Sequence, residues 1–218
     1  MAIIFDLDGT LINSLNAHAS SVKKGIDLVL GDKRVSYSFV RKNIRYPSSF
    51  LFKLIQSKLK IRLSKQEEEA VLNEKRKVMS KTGFRGVRLF SGVNDLFDLL
   101  KKEGIEFCIA TSMPEKEIPI LKTSKGLRIL FTVPIFCPDK MEDEKPNPYV
   151  LNLAVEELNL DKSTSFYVGD SITDKEAARN AGIGFIGVFN KKLSDSEMFF
   201  KNIVALERFI KKNPDKFR

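Results

Sequence analysis

From Gly86 onward, short apolar runs alternate with segments of helical periodicity, and this alternation restricts the possible folds more than any other feature. The pattern predicts strands at 105–111, 131–136, 166–168 and 185–189, separated by helices, and a last helix at 204–212. An earlier apolar run at residues 2–5 predicts one more buried strand. Because strands that alternate with helices favour a parallel sheet covered on both faces, the predicted fold class is α/β with a doubly wound parallel sheet.

The segment from Ser14 to about Lys81 differs, since its apolar residues recur at helical spacing. Charge also distinguishes it: residues 14–86 hold 17 Lys and Arg but six Asp and Glu, a net charge of +11 against +9 for the whole chain. Such asymmetry indicates a separate surface or module. It suits an anionic substrate or nucleic acid, and a solvated helical face without a partner is the alternative.

The chain has two cysteines, Cys108 and Cys137, and one histidine. This composition excludes a disulfide framework and a zinc site built from His and Cys, so any metal would be held by oxygen ligands. No apolar run approaches the ~18 residues that a membrane span needs. The N-terminus lacks the pattern of a signal peptide, and we therefore expect a cytoplasmic protein without membrane association.

Polar side chains follow the predicted strands at the edge where parallel sheets collect their ligands. Asp6 and Asp8 are expected to point the same way, and Asp170 and Asp174 to be neighbours on a first helical turn. Clustered carboxylates need a cation, and an all-oxygen set suits Mg²⁺. A carboxylate placed there can attack phosphorus once Mg²⁺ and Lys145 reduce the charge repulsion.

These residues resemble the haloacid-dehalogenase-like hydrolase superfamily over nearly the whole chain. The resemblance is carried by Asp-Leu-Asp-Gly-Thr-Leu at 6–11, Thr111-Ser112, Lys145-Pro146 and Gly169-Asp170-Ser171-x-x-Asp174. Residues 177–182 are similar to its phosphoglycolate-phosphatase-like branch. The resemblance implies a Rossmann-like core with a small all-helical cap inserted after the first strand, and hence a core domain at 1–13 and 83–218 and a cap domain at 14–82.

The resemblance also implies the catalytic roles. Asp6 would be the nucleophile that forms an aspartyl-phosphate, and Asp8 would protonate the leaving group and then activate water. Thr111 and the backbone of Ser112 would hold phosphoryl oxygens, and Lys145 would bridge Asp6 and the phosphoryl group.

A Mg²⁺ ion would be bound by the Asp6 carboxylate, the Asp8 carbonyl and Asp170, with Asp174 supporting it directly or through water. In the cap, the candidate substrate contacts are His18, Arg41, Lys42 and Arg45. A structural role for His18 and a solvated basic face for the other three are the alternatives.

The sequence thus predicts a Mg²⁺-dependent phosphatase for small phosphorylated metabolites, with a phosphoglycolate-like substrate preferred. The alternative is a sugar-phosphate mutase of the beta-phosphoglucomutase type, which would pass the phosphoryl group to another hydroxyl; Thr10 matches the phosphatase branch better. A non-enzymatic nucleic-acid binder is a third hypothesis. Since no nucleic-acid-binding motif accompanies the basic segment, nucleic acid is not the expected partner.

Overall fold

A computed structural model of the protein describes residues 1–31, 35–82 and 86–217. The chain divides into two compact units. The first comprises Met1–Asn13, Arg88–Ile118 and Lys125–Arg218, and the second comprises Ser14–Val87 and Pro119–Ser124. Asp32, Lys33, Arg34 and Arg85 of the basic segment lie outside the described residues.

The first unit is built on a parallel sheet whose strand order, for the described residues, is β3-β2-β1-β4-β5-β6. The central strand β1 pairs with β2 on one side and β4 on the other, so that Ile4 lies level with both Cys108 and Tyr167. In such a sheet, the strand order reverses at β1, which opens a crevice at the carboxyl ends of β1 and its neighbours. The strands are β1 Ala2–Phe5, β2 Glu106–Ala110, β3 Ile135–Phe136, β4 Ser165–Gly169, β5 Gly184–Val188 and β6 Met198–Phe200.

Helices cover both faces of this sheet, which confirms the predicted α/β fold class. On one face, Ile4 and Tyr167 pack with apolar residues of α7 and α8. On the other face, the rings of Phe5, Phe97 and Phe107 contact one another with centroids 4.8–6.3 Å apart. The helices are α1 Leu15–Leu30, α2 Tyr37–Asn43, α3 Ser48–Leu59, α4 Lys65–Thr82, α5 Val93–Lys102, α6 Ile118–Lys122, α7 Tyr149–Glu157, α8 Ile172–Ala181 and α9 Ile203–Lys212.

The second unit contains α1 to α4 around a small apolar core of its own, which includes Ile26, Phe52 and Val71. Helices α1 and α4 approach closely at Gly25, where an added Cβ would lie 2.6 Å from the carbonyl oxygen of Val71. A larger residue at position 25 would therefore force the two helices apart. Among the described residues, none of the helices combines the length and the apolar character of a bilayer-crossing segment.

The chain leaves the first unit and returns to it at two adjacent points. Asn13 donates its backbone N–H to Arg88 O at 2.9 Å, and Phe90 donates its N–H to Leu11 O at 2.9 Å. Ile12 and Leu89 form an antiparallel bridge between these hydrogen bonds. The two ends of the segment between them are thus fastened side by side.

One predicted detail of the sheet is wrong, and one strand was not predicted. The strand predicted at 131–136 is limited to Ile135–Phe136, because residues 125–132 form a 3₁₀ helix that buries Leu127 and Leu130. The short edge strand Met198–Phe200 was not predicted. Because Met198–Phe200 has only three residues and follows a polar run, the sequence shows no alternation of apolar and polar residues there.

Candidate active site

Asp6 is the first residue after β1, and its carboxylate is held on both oxygens. Its backbone N–H donates to Val168 O at 2.9 Å, which continues the pairing of β1 with β4. Asp6 Oδ2 accepts a hydrogen bond from Thr10 Oγ1 at 3.0 Å, and Oδ1 accepts one from Lys145 Nζ at 2.6 Å. The side chain is buried, so these contacts fix its orientation away from bulk water.

Lys145 places its ammonium group at the centre of the site. Nζ donates to Asp6 Oδ1 at 2.6 Å, to Asp174 Oδ1 at 2.6 Å and to Tyr167 Oη at 2.8 Å. Burial by itself would lower the pKa of Lys145, but the charges of Asp174 and Asp6 outweigh it and raise the pKa well above its ordinary value. The ammonium therefore stays charged.

Asp174 belongs to the first turn of α8, and the local sequence explains why it points inward. Ser171 is the N-cap: its hydroxyl accepts a hydrogen bond from Asp174 N, while Asp174 Oδ2 accepts from Ser171 N at 2.9 Å. This reciprocal pair is a capping box. It leaves Asp174 Oδ1 facing Lys145.

Asp170 lies before α8, so the prediction that it shares the first helical turn with Asp174 is wrong, although their carboxylates are neighbours. The physical reason is the extended backbone of Ser171, which delays the start of the helix to Ile172. The carbonyl of Asp170 accepts a hydrogen bond from Asn190 Nδ2 at 3.1 Å. Its carboxylate sits against Gly9, where an added Cβ would lie 2.7 Å from Asp170 Oδ2.

Three buried carboxylates converge at this edge of the sheet. One oxygen from each of Asp6, Asp170 and Asp174 lies within 4.8 Å of the others. Burial raises the pKa of Asp6 well above its ordinary value; the Lys145 charge opposes this, and the charges of Asp174 and Asp170 add to it. When all three carboxyls are ionised, they and the single ammonium leave two negative charges, which a divalent cation would neutralise. The all-oxygen donor set fits such an ion.

Thr111 and Ser112 follow β2 and reach the same edge. Thr111 N donates to Phe136 O at 3.0 Å, and the buried Thr111 hydroxyl accepts from Met113 N at 3.1 Å. Ser112 Oγ accepts a hydrogen bond from the backbone N–H of Lys145 at 3.2 Å. The Ser112 side chain therefore fastens the loop that carries the lysine.

The remaining candidates are Asp8 and four residues of the predicted cap. Asp8 is partly exposed, and its carboxylate is not among the three that converge. The four cap candidates belong to the second unit: His18 is buried in α1, Arg41 donates from Nε to Asn16 Oδ1 at 2.5 Å, and Lys42 and Arg45 are exposed. Their role as substrate contacts stays a prediction.

Sequence reasoning missed Tyr167. Its hydroxyl donates to Ala110 O at 2.9 Å and accepts from Lys145 Nζ at 2.8 Å. Burial raises the pKa of Tyr167 well above its ordinary value, although the Lys145 charge opposes this. Tyr167 lies within the apolar run at 166–168, which predicts a strand, and nothing in the local pattern links it to a lysine 22 residues away.

Comparison with known proteins identifies the family. A model of the haloacid dehalogenase-like hydrolase family matches residues 3–188 of the chain. The chain belongs to this family. The predicted superfamily is therefore confirmed, and the chain is a hydrolase of this type.

Curated relatives support the predicted branch. The chain is 28% identical over 190 residues to a phosphoglycolate phosphatase of Vibrio parahaemolyticus, covering 85% of this chain and 82% of that protein. It is 26% identical over 184 residues to an N-acetylmuramic acid 6-phosphate phosphatase of Pseudomonas aeruginosa, covering 83% and 78%. The crystal structure of a hydrolase from Pseudomonas syringae has the same fold, with a TM-score of 0.79 at 19% identity over 97% of this chain and 98% of that one.

Proposed function

We propose that this haloacid dehalogenase-like hydrolase is a Mg²⁺-dependent phosphatase that hydrolyses small phosphorylated metabolites through an aspartyl-phosphate on Asp6. The observation that carries the proposal is the buried contact of Asp6 with Lys145, at 2.6 Å, beside the carboxylates of Asp170 and Asp174. A nucleophilic carboxylate next to a fixed ammonium is the arrangement that attack on an anionic phosphoryl group needs.

In the first step, a carboxylate oxygen of Asp6 attacks phosphorus and the bond from phosphorus to the ester oxygen breaks. Thr10 and Lys145 hold the carboxylate in one orientation for this attack. Asp8 gives its proton to the departing oxygen, so that a neutral alcohol leaves. The Thr111–Ser112 turn binds the phosphoryl oxygens. The Lys145 ammonium, whose donors are directed to Asp6, Asp174 and Tyr167, offsets the negative charge concentrated there.

In the second step, Asp8 takes a proton from water and the resulting hydroxide attacks the phosphorus of the acyl phosphate. The bond between phosphorus and the Asp6 oxygen breaks, which releases inorganic phosphate and restores the carboxylate. Asp8 regains the proton that it lost in the first step, so the cycle closes without another reactant.

The proposed metal site comprises Asp6, Asp170 and the Asp8 carbonyl, with Asp174 close by. When bound, Mg²⁺ supplies positive charge that reduces the repulsion between the Asp6 carboxylate and the phosphoryl oxygens. Asp174 already directs Oδ2 to Ser171 and Oδ1 to Lys145, so we assign it to the support of Lys145 and the metal site rather than to a full share of the coordination.

The substrate is proposed as a class, with a phosphoglycolate-like compound preferred because a phosphoglycolate phosphatase is among the relatives. The basic residues of the second unit, Arg41, Lys42 and Arg45, and His18 are proposed to contact the rest of the substrate. We also propose that residues 14–82 form the cap domain and that the protein works in the cytoplasm, where the free thiols of Cys108 and Cys137 would stay reduced.

The test is a screen of phosphorylated metabolites with Mg²⁺, read as released phosphate, that compares the wild type with Asp6→Asn. We expect the wild type to release phosphate from some esters of the panel, which includes phosphoglycolate and N-acetylmuramic acid 6-phosphate. Asp6→Asn should fold and be inactive. Undiminished phosphate release by that variant would disprove the proposal. Isomerisation of a hexose phosphate without phosphate release would instead favour the mutase, and a salt-sensitive gel shift without phosphate release would favour a nucleic-acid binder.

A further inference from the structure

We propose that Tyr167 is a positioning residue of this reaction: its hydroxyl holds the Lys145 ammonium in place against Asp6. The inference rests on the proposed function, since it gives Lys145 a part in phosphoryl transfer. Tyr167 lies in β4, three residues before Asp170, and its side chain is fully buried.

The first argument is the number of hydrogen bonds at the ammonium. A lysine ammonium has three N–H donors, and Lys145 has three acceptors at 2.6–2.8 Å: Asp6 Oδ1, Asp174 Oδ1 and Tyr167 Oη. Two of these acceptors are carboxylates, from Asp6 after β1 and from Asp174 in α8. The third acceptor completes the set and confines Nζ to a single position.

The second argument is the direction of the Tyr167 hydrogen bonds. The hydroxyl has one hydrogen, and its donor contact with Ala110 O at 2.9 Å is shorter than its 3.4 Å separation from Asp174 Oδ1. With that hydrogen directed to Ala110, the lone pairs of the hydroxyl oxygen are available to Lys145. Tyr167 is therefore oriented as an acceptor for the ammonium.

The third argument is the position of Tyr167 in the sheet. β1 lies between β2 and β4, so the bond from Tyr167 to Ala110 spans the strand that delivers Asp6. Ala110 is the last residue of β2 and directly precedes Thr111. One hydroxyl thus links the strand end before the Thr111–Ser112 turn to the lysine that faces Asp6.

A merely structural role is the competing explanation, because the Tyr167 ring also fills the core between the sheet and its helices. Tyr167→Phe separates the two roles, since it keeps the ring and removes the hydroxyl alone. The chain offers a matched control in the same strand. Ser165 is buried and donates its hydroxyl to the backbone carbonyl of Asp161 at 2.6 Å, so Ser165→Ala also deletes one hydroxyl that is bonded to a carbonyl.

The experiment measures kcat, KM and the thermal midpoint of wild type, Tyr167→Phe and Ser165→Ala on the best substrate of the screen. We expect kcat of Tyr167→Phe to fall about tenfold, with KM within about twofold, because Lys145 acts most strongly on the charge of the transition state. Ser165→Ala should lower the thermal midpoint and leave kcat unchanged. An unchanged kcat in Tyr167→Phe would overturn the inference. So would equal losses of kcat in the two variants.

A second measurement needs no variant of Tyr167. In wild-type protein labelled with ¹⁵N-lysine, the ammonium signal that Lys145→Ala removes should show a nuclear Overhauser contact to the Tyr167 ring, whose centroid lies 5.3 Å from Nζ. A Lys145 signal without that contact, or no Lys145 signal at all, would overturn the inference. This measurement also decides the case in which Tyr167→Phe does not fold.

The two proposals can fail separately. Turnover that survives Asp6→Asn refutes the proposed function alone. A normal kcat in Tyr167→Phe, with Asp6→Asn inactive, refutes only the role of Tyr167.

Discussion

Lys145 Nζ lies 2.6 Å from Asp174 Oδ1, and the two side chains are only 5% and 2% exposed. The capping box at the start of α8 fixes Asp174, so the helix terminus is coupled directly to the position of the lysine. Asp174 accepts hydrogen bonds on both of its carboxylate oxygens, from Lys145 on Oδ1 and from Ser171 on Oδ2.

For Asp174→Asn we therefore predict a loss of both stability and turnover. The free energy of unfolding should fall by roughly 1–3 kcal/mol, because an amide cannot accept hydrogen bonds from both Lys145 and Ser171. kcat should fall on the order of 100-fold, since Lys145 no longer has a fixed position. Denaturant titration and steady-state kinetics measure the two effects.

The matched control is Asp195→Asn, which removes an exposed carboxylate 2.9 Å from Lys175. An exposed pair of this kind contributes about 0–1 kcal/mol, so both stability and kcat should stay close to wild type. If Asp174→Asn behaved like Asp195→Asn, the contact of Asp174 with Lys145 would contribute neither to the free energy of unfolding nor to kcat.

Gly9→Ala is predicted to abolish activity. Gly9 has φ +95°, and an added Cβ would lie 2.7 Å from Asp170 Oδ2, so the carboxylate would have to move out of the cluster. We expect kcat to fall more than about 100-fold, because a small displacement of a positioned group has a large effect on rate.

Gly104→Ala separates this clash from backbone strain. Gly104 also has a positive φ, +67°, but an added Cβ there would meet nothing within 4 Å. It should destabilise the fold by about 1–2 kcal/mol and leave kcat unchanged. Equal losses of activity in the two variants would show that backbone strain, rather than contact of the added Cβ with Asp170, causes the loss in Gly9→Ala.

Divalent metal should stabilise the protein as well as activate it, because the site holds two uncompensated negative charges. At a Mg²⁺ concentration of 100 times Kd, binding adds about 2.7 kcal/mol, or roughly 5–10 °C of thermal midpoint for a chain of this size. Differential scanning fluorimetry with EDTA and with Mg²⁺ measures the shift. Asp170→Asn should reduce the shift, and Asp195→Asn should retain it. A shift that Asp170→Asn leaves intact would place the ion elsewhere.

The buried thiol of Cys108 predicts a loss of stability at high pH. Burial, with a smaller contribution from Glu106, raises the pKa of Cys108 from 9.0 to about 12. The unfolded chain therefore loses the thiol proton above pH 9 while the folded chain keeps it. The contribution of Cys108 to stability is complete below pH 9 and falls as pH rises, by about 1 kcal/mol between pH 9 and 10.

Denaturant titrations at pH 8, 9 and 10 test this, with Cys108→Ala as the comparison. Cys137, whose pKa burial raises to about 11, acts in the same direction and stays present in both proteins. The variant should show a shallower decline between pH 9 and 10, whatever its absolute stability. Identical slopes would contradict the assignment to Cys108.

The alternation of strands and helices made the architecture predictable, because periodicity is a local property of the sequence. Strand β1 begins and ends where expected, and the last helix, α9, begins one residue before the predicted range and ends at the predicted residue. The edge strand β6 was not predictable, since Met198–Phe200 is too short for any alternation to appear. The predicted strand at 131–136 failed because its first residues are equally compatible with the 3₁₀ helix at Lys125–Thr132.

The acidic motifs predicted where charge would collect, but not how the charges are connected. Ser171-x-x-Asp174 also has the pattern of a capping box, and that signal could have shown why Asp174 points inward. The contact of Tyr167 with Lys145 depends on the order of β2, β1 and β4 in the sheet. Strand order is a property of the whole fold, so no local pattern contains it.

The adjoining hydrogen bonds of Asn13 with Arg88 and of Phe90 with Leu11 have an evolutionary consequence. An inserted segment of any length can leave and rejoin the sheet unit at these two adjacent points. Exchange of the intervening segment by recombination at these two points would leave the contact of Asp6 with Lys145 in the sheet unit unaltered. An engineered domain insertion would use the same two points, after Asn13 and before Arg88.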